Sequence, residues 1–163
     1  PGALKWLAEY AHQVDAGNNA VDYSADYFHL NLDLDMSSTF APKLGFERLE
    51  GSRSAGKSFR TPLATLHAFN GWADTFLATP DQGLDDVYAG FSGKHDRLGW
   101  NVTWHRFDTE KGSKNLGDEL DASLSISTGA SSSVLLKAAH FSADASGFRD
   151  TTKVWLMFSL ALP

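Results

Sequence analysis

Residues 151–162 read TTKVWLMFSLAL. Every second residue from Thr152 (Val154, Leu156, Phe158, Leu160, Leu162) is apolar. The residues between, Thr151, Lys153, Trp155, Met157, Ser159 and Ala161, are mixed. A period of two predicts a strand with two unlike faces. Two kinds of protein end this way. A soluble sheet turns the apolar face to its core. The closing strand of a membrane barrel turns it to lipid.

The same alternation recurs through the chain. Strand one places Leu4, Trp6, Ala8 and Tyr10 against Lys5, Leu7, Glu9 and Ala11. Strand two, residues 23–34, sets Phe28, Leu30, Leu32 and Leu34 against Tyr27, His29, Asn31 and Asp33. Strand three sets Phe40, Pro42, Leu44 and Phe46 against Lys43, Gly45 and Glu47. Pro42 has no N–H for a ladder, which predicts a bulge or an unpaired spot. Strand four opposes Val87, Ala89 and Phe91 to Asp86, Tyr88, Ser92 and Lys94. Strand five opposes Leu98, Trp100, Val102 and Trp104 to Asn101, Thr103, His105 and Phe107. Strand six has Leu120, Ala122, Leu124 and Ile126 against Glu119, Asp121, Ser123 and Ser125. Strand seven has Val134, Leu136 and Ala138 against Lys137, Ala139 and Phe141. Residues 151–162 form strand eight.

The connections alternate too. Those at 35–38, 94–97 and 128–131 are short; those at 14–19, 51–83, 110–117 and 142–150 are longer. An up-and-down membrane barrel predicts this pattern, with short turns on one side of the bilayer and longer loops on the other. A Greek-key sandwich does not. Each strand is roughly 9–12 residues, about what a tilted strand needs to cross a bilayer. Residues 1–163 read as one β-barrel segment, with the long loop 51–83 inserted between strands three and four.

Composition removes several function classes. A net charge of −6 gives no footprint for a phosphate backbone, so no nucleic-acid partner is expected. Without cysteine there is neither a disulfide scaffold nor a thiolate metal site. No apolar run approaches the ~20 residues of a spanning helix. The opening Pro1-Gly2 reads as the start of a mature or processed chain.

The polar rows carry Lys5, Glu9, Asp33, Lys43, Glu47, Asp86, Lys94, His105, Glu119, Asp121, Lys137 and Lys153. The apolar rows carry almost no charge, Arg106 near a loop being the exception. Trp6, Tyr10, Trp100 and Trp104 fall on the apolar side, as an interfacial girdle requires. A soluble barrel would bury the apolar rows, and a membrane barrel would expose them.

The long loop contains SFRTPLATLHAFNGWADTFLATPDQGL, residues 58–84. Thr61-Pro62 is a helix-entry pattern. Leu63, Leu66, Phe69, Trp72 and Phe76 recur at helical spacing. This predicts a short amphipathic helix over 61–76, broken near Asn70-Gly71. The run RTPLATLHAFNGWADTFLATPDQGLDDVY, with FERLEG before it, resembles the C-terminal part of outer-membrane barrels of the alginate-export family. GDELDASLS and DTTKVWLMFSLAL look like that family's final strands. The resemblance covers roughly residues 20–162. It implies a Gram-negative outer-membrane channel with more than eight strands, partnered by outer-membrane lipid and the barrel-assembly machinery. Such barrels commonly end in an aromatic; this chain ends Leu162-Pro163, and its last phenylalanine is Phe158.

Catalytic and metal patterns are weak. Asp85-Asp86 and Glu119/Asp121 are carboxylate pairs that read first as a hydrated wall. None of His12, His29, His67, His95, His105 and His140 sits in a metal-ligand spacing, and no GxSxG elbow is present. Asp81, Asp85 and Asp86 offer a weak Ca²⁺ pattern. No catalytic residue, metal or cofactor is assigned. The expectation is an all-β, antiparallel up-and-down transmembrane β-barrel, with about eight strands here out of a larger barrel and one long helical loop. Its function would be passive passage of hydrophilic solutes or polysaccharide. The pore-lining candidates are Lys5, Glu9, Lys43, Glu47, Asp86, Lys94, His105, Glu119, Asp121, Lys137 and Lys153. The loop constriction candidates are Arg60, His67 and Trp72. The mixture of signs favours a weakly selective pore over a basic conduit for a polyanion. The rival expectation is a soluble lipocalin-like β-barrel that binds an apolar ligand.

Overall fold

The computed structural model describes residues 2–62 and 70–162. Eight strands follow one another: β1 (Ala3–Val14), β2 (Ser24–Asp35), β3 (Ala41–Leu49), β4 (Leu84–His95), β5 (Leu98–Asp108), β6 (Asn115–Ser127), β7 (Ser132–Ala143) and β8 (Thr151–Leu160). They form one antiparallel sheet in sequence order with no crossover. β1 and β8 do not pair with each other, so the sheet is open. The connections at 36–40, 96–97 and 128–131 are tight; those at 15–23, 50–83, 109–114 and 144–150 are longer. All the long ones lie at one end of the sheet, because consecutive strands run in opposite directions.

Pro42 sits where β2–β3 pairing has ended, one residue beyond Lys43↔Asp33, while its β4 side continues in register with Phe91. It is therefore the unpaired spot that a residue without an N–H tolerates. The one register shift among the pairs lies elsewhere, between Phe107 and Asp108.

Register settles which residues share a face. Lys5 lies beside Asp33, Asp33 beside Lys43, and Glu9 beside His29, which lies beside Glu47. Glu47 lies beside Asp86, Tyr88 beside His105, and His105 beside Glu119. This polar face also carries Thr103, Asp121, Lys137 and Lys153. The opposite face carries the apolar rows, and these are uncovered. Trp6 is 70% exposed and Leu156 75%, and Leu44, Leu120 and Leu136 also stand out from the sheet. By contrast Asp86, Glu119 and Asp121 are at most 1% exposed. Apolar side chains thus stand outside on one face while carboxyl side chains on the other are covered.

The cover comes from described residues of the 50–83 connection, notably 70–76, which lie over the polar face near the long-loop end. There Phe76 meets Phe107, Phe141 and Phe148 at centroid distances of 4.6, 5.7 and 5.4 Å. Tyr27 stacks on Phe59 at 5.3 Å. With Leu49, Leu84 and Leu116 these rings make the apolar core. The amphipathic helix expected over 61–76 is not formed by the described part of that stretch. Residues 70–76 run through turns and bends, and no helix occurs among the described residues. Asn70, Gly71 and Asp74 have φ of 54°, 81° and 57°. A right-handed helix cannot continue through the left-handed region. Leu63, Leu66, His67 and Phe69 lie outside the described residues.

The exposed apolar band has ordered edges. At its upper edge, toward the long loops, stand Tyr10, Phe28, Phe46 and Trp104. Phe40, Phe91 and Trp100 stand toward the tight turns, Phe91 packing on Phe40 at 6.1 Å and on Trp100 at 5.5 Å. Above the upper edge the outward face turns ionic. His12 pairs with Asp26 at 2.6 Å, Arg48 grips Asp85 through two hydrogen bonds of 2.7 and 2.6 Å, and Arg106 pairs with Asp108 at 3.1 Å. Beyond them Lys111 reaches Glu110 and Glu50, at 3.0 and 3.2 Å. The Glu110 carboxylate, with Glu50, holds the Lys111 ammonium above its ordinary pKa.

Candidate functional site

The polar face folds around a recess of about 190 Å³. Its strand walls are His29 and Asn31 of β2, Lys43 and Glu47 of β3, Asp86 and Tyr88 of β4, Thr103 and His105 of β5, and Asp121 of β6. The connection supplies Asn70, Gly71 and Trp72. The strand residues meet because each has the same parity on its strand and the register brings neighbouring rows level.

The segment 70–74 is held to this wall by side chains from the strands. Asn70 Nδ2 donates to Glu47 Oε2 at 2.8 Å. The Trp72 N–H donates to Asp121 Oδ2 at 3.2 Å and the Ala73 N–H to Glu119 Oε1 at 2.7 Å. Lys153 Nζ reaches Asp74 at 2.7 Å, and the Lys137 ammonium lies 3.9 Å above the Trp72 ring. Close approach also needs Gly71: a Cβ there would stand 2.6 Å from the Glu119 carboxylate, at a φ of 81°. On the strand wall Gly45 leaves the space that the Tyr88 ring fills.

Within the recess most polar atoms are engaged. Tyr27 Oη donates to Glu47 Oε1 at 2.7 Å. Tyr88 Oη donates to Asn31 Oδ1 at 2.9 Å, with His29 Nε2 2.9 Å away. His105 Nδ1 faces both oxygens of Asp86 at 3.0 and 2.9 Å, and its ring stacks on Phe107 at 5.6 Å. Lys43 Nζ sits 5.8 Å from the centre of the Tyr88 ring. Beneath the recess, Glu119 Oε2 and Asp121 Oδ1 are buried with no partner outside this pair among the described residues, and the two carboxyl side chains hydrogen-bond each other.

The pore-lining candidates all share the polar face, but they divide by height. Lys43, Glu47, Asp86, His105 and Asp121 line the recess. Glu119, Lys137 and Lys153 hold the covering segment. Lys5 pairs with Asp35 near the tight turns, and Glu9 and Lys94 are exposed away from the recess. Of the constriction candidates only Trp72 is in the recess. Arg60 lies at the long-loop end, its N–H donating to Gln13 and its guanidinium to the Gly56 carbonyl. His67 lies outside the described residues. His29, Asn31, Asn70, Tyr88 and Thr103 were not among the candidates. The strand four share the parity of the charged ones, and that spacing was the signal for them.

The Ca²⁺ pattern is not assembled. Asp85 faces outward to Arg48, Asp86 inward to His105, and Asp81 accepts the Gly56 N–H. Among the described residues no group of three His, Asp or Glu side chains could hold a metal. No family model, curated protein or solved structure matches the sequence.

Proposed function

We propose that this chain is part of an outer-membrane channel, with its apolar rows against lipid and its polar face along a water-filled path for hydrophilic solutes. One observation carries the reading. Row after row of Leu, Val, Phe and Trp is uncovered on one face, while the rows of titratable residues lie on the other. Leaving that apolar area in water would forfeit ~25 cal/mol per Å², and monomeric soluble proteins rarely expose such a continuous patch. Aromatic residues at both edges and an ionic belt above the upper one fit a bilayer's hydrocarbon layer and headgroups.

The open edges of β1 and β8 belong to the same reading. An unpaired strand edge is costly in hydrocarbon, so further strands would complete the barrel. Residues 70–74 of the 50–83 connection lie on the polar face, where they would narrow the path. A polysaccharide cargo that is a polyanion is not favoured, because the recess wall of Glu47, Asp86 and Asp121 with a single Lys43 is not the strongly basic lining such a cargo would need. The rival, a lipocalin-like carrier of an apolar ligand, needs an apolar cavity, whereas the recess is walled by carboxylates, histidines and a lysine.

The test is direct. The full barrel that includes this chain should remain monodisperse only in detergent or lipid, and should raise the conductance of a planar bilayer without strong preference for anions. Monodispersity in plain buffer with no conductance would overturn the reading.

A further inference from the structure

We propose that the Glu119–Asp121 pair is a one-proton latch: with a proton between them the two carboxyls hold residues 70–74 on the polar face, and loss of that proton releases the segment. The latch stands on the geometry of the pair. Its effect on a solute path, a wider opening as the pH rises, rests on the channel reading.

The pair comes first. Glu119 and Asp121 stand two apart on β6, share a face, and are 1% and 0% exposed. Their side chains hydrogen-bond each other, and Glu119 Oε2 and Asp121 Oδ1 have no other partner among the described residues. A hydrogen bond between two carboxyls needs a proton, because an ionised carboxylate only accepts. The other two oxygens serve the cover. Asp121 Oδ2 accepts the Trp72 N–H and Glu119 Oε1 the Ala73 N–H. One proton thus lets the pair bridge and grip at once.

The cover is also the seal. A Cβ on Gly71 would fall within 2.7 Å of Cδ, Oε1 and Oε2 of Glu119, so the segment's backbone leaves no room for water there. Across β7, Glu119 lies beside Phe141 and Asp121 beside Ala139, neither of which brings a counter-charge. Across β5, Thr103 lies beside Asp121 and His105 beside Glu119. The His105 Nδ1 faces Asp86 of β4, and its Nε2 is 3.7 Å from Asp121 Oδ2. Glu47 and Lys43 of β3 line the same recess. The Lys137 ammonium of β7 lies over the Trp72 ring, and Lys153 of β8 is paired with Asp74 of the segment.

Removing the proton leaves two carboxylates in contact where neither is hydrated. Like charges in such a site repel strongly, and an ion without water or a partner is costly. The strands keep their ladders, so the wall that can yield is 70–74. That segment holds Asn70 and Asp74 in left-handed backbone, at φ of 54° and 57°, which persists only while the surroundings enforce it. Lifting it lets water reach both carboxylates. The closed state therefore holds one proton more than the open one. It loses ground as the pH rises, by up to tenfold in the closed-to-open ratio per pH unit.

The test uses the full barrel that includes this chain, in detergent, with its tryptophans replaced by fluorotryptophan. Trp72→Phe assigns the Trp72 fluorine resonance. From about pH 5 to about pH 10, the span between ordinary carboxyls and ordinary lysines, the parent's Trp72 resonance should pass from one position to a second in a one-proton step. Asp121→Asn should hold the first position throughout. Its amide donates to Glu119 and its oxygen accepts the Trp72 N–H, so the bridge needs no proton. Glu119→Gln should do the same with the roles exchanged. The histidines and lysines of this face are common to all three proteins, so their titration does not produce the difference. The proposal is overturned if the parent's resonance holds one position across the range, or if both variants move as the parent does. In planar bilayers the parent's conductance should rise over the same range and that of the variants should not. The resonance step without any conductance would keep the latch and overturn the channel. Conductance with the Trp72 resonance fixed would do the reverse.

Discussion

Leu32→Arg should destabilise the lipid-embedded protein by about 2–4 kcal/mol, the cost of an arginine on the lipid face of a barrel near the bilayer midplane. Leu32 stands on the outward face, between Leu30 and Leu34 along β2 and between Trp6 and Leu44 across the sheet. All these neighbours are apolar, so the guanidinium finds no carboxylate nearby. In a water-soluble sheet the same change would be small, because a side chain already 37% exposed can send its charge into solvent. The measurement is equilibrium unfolding in guanidinium chloride from lipid vesicles, parent against variant. A difference within about 0.5 kcal/mol would place that face in water.

Phe76→Ala should cost about 3–5 kcal/mol, the range for truncating a buried phenylalanine. The ring is 7% exposed and wedged among Phe107, Phe141 and Phe148. Its loss frees one end of the segment that Glu47, Asp121 and Glu119 hold at Asn70, Trp72 and Ala73. The strands keep their own ladders, so far-ultraviolet circular dichroism should change little. Trypsin should cut faster after Arg53, Lys57 or Arg60 in the same connection. Parent-like proteolysis in the variant would show that the carboxylate contacts alone hold the segment.

Much of the fold was legible because a strand's period of two is unambiguous when one face is nearly all apolar. The rows through Leu120, Ala122, Leu124 and Ile126, or Phe28, Leu30, Leu32 and Leu34, gave both the strands and their shared faces. Alternation of tight and long connections gave the up-and-down order. Periodicity alone could not say which face is covered, since an inward and an outward apolar row have the same spacing. The helix expected at 61–76 has a different origin. Trp72 and Phe76 are four apart, as on a helix face, but Asn70, Gly71 and Asp74 take left-handed backbone. What fixes that backbone is tertiary, namely the carboxylates of Glu119 and Asp121 accepting the N–H groups of Ala73 and Trp72. Asn70-Gly71 was the local warning. At the recess, choosing by charge found Glu47, Asp86, His105 and Asp121. It passed over His29, Asn31, Tyr88 and Thr103, which stand on the same face with no charge to mark them.

The outward direction of the apolar rows in lipid is the premise on which the channel and the barrel both stand. The chain has no cysteine, so single cysteines introduced at 119–126 of β6 can each carry one spin label without a background. In bilayers, oxygen should broaden the labels at 120, 122, 124 and 126, and a water-soluble nickel chelate should not reach them. The odd positions should show a lower ratio of oxygen to chelate accessibility. If the even positions are instead reached by the chelate as readily as by oxygen, the apolar face meets water and the account fails.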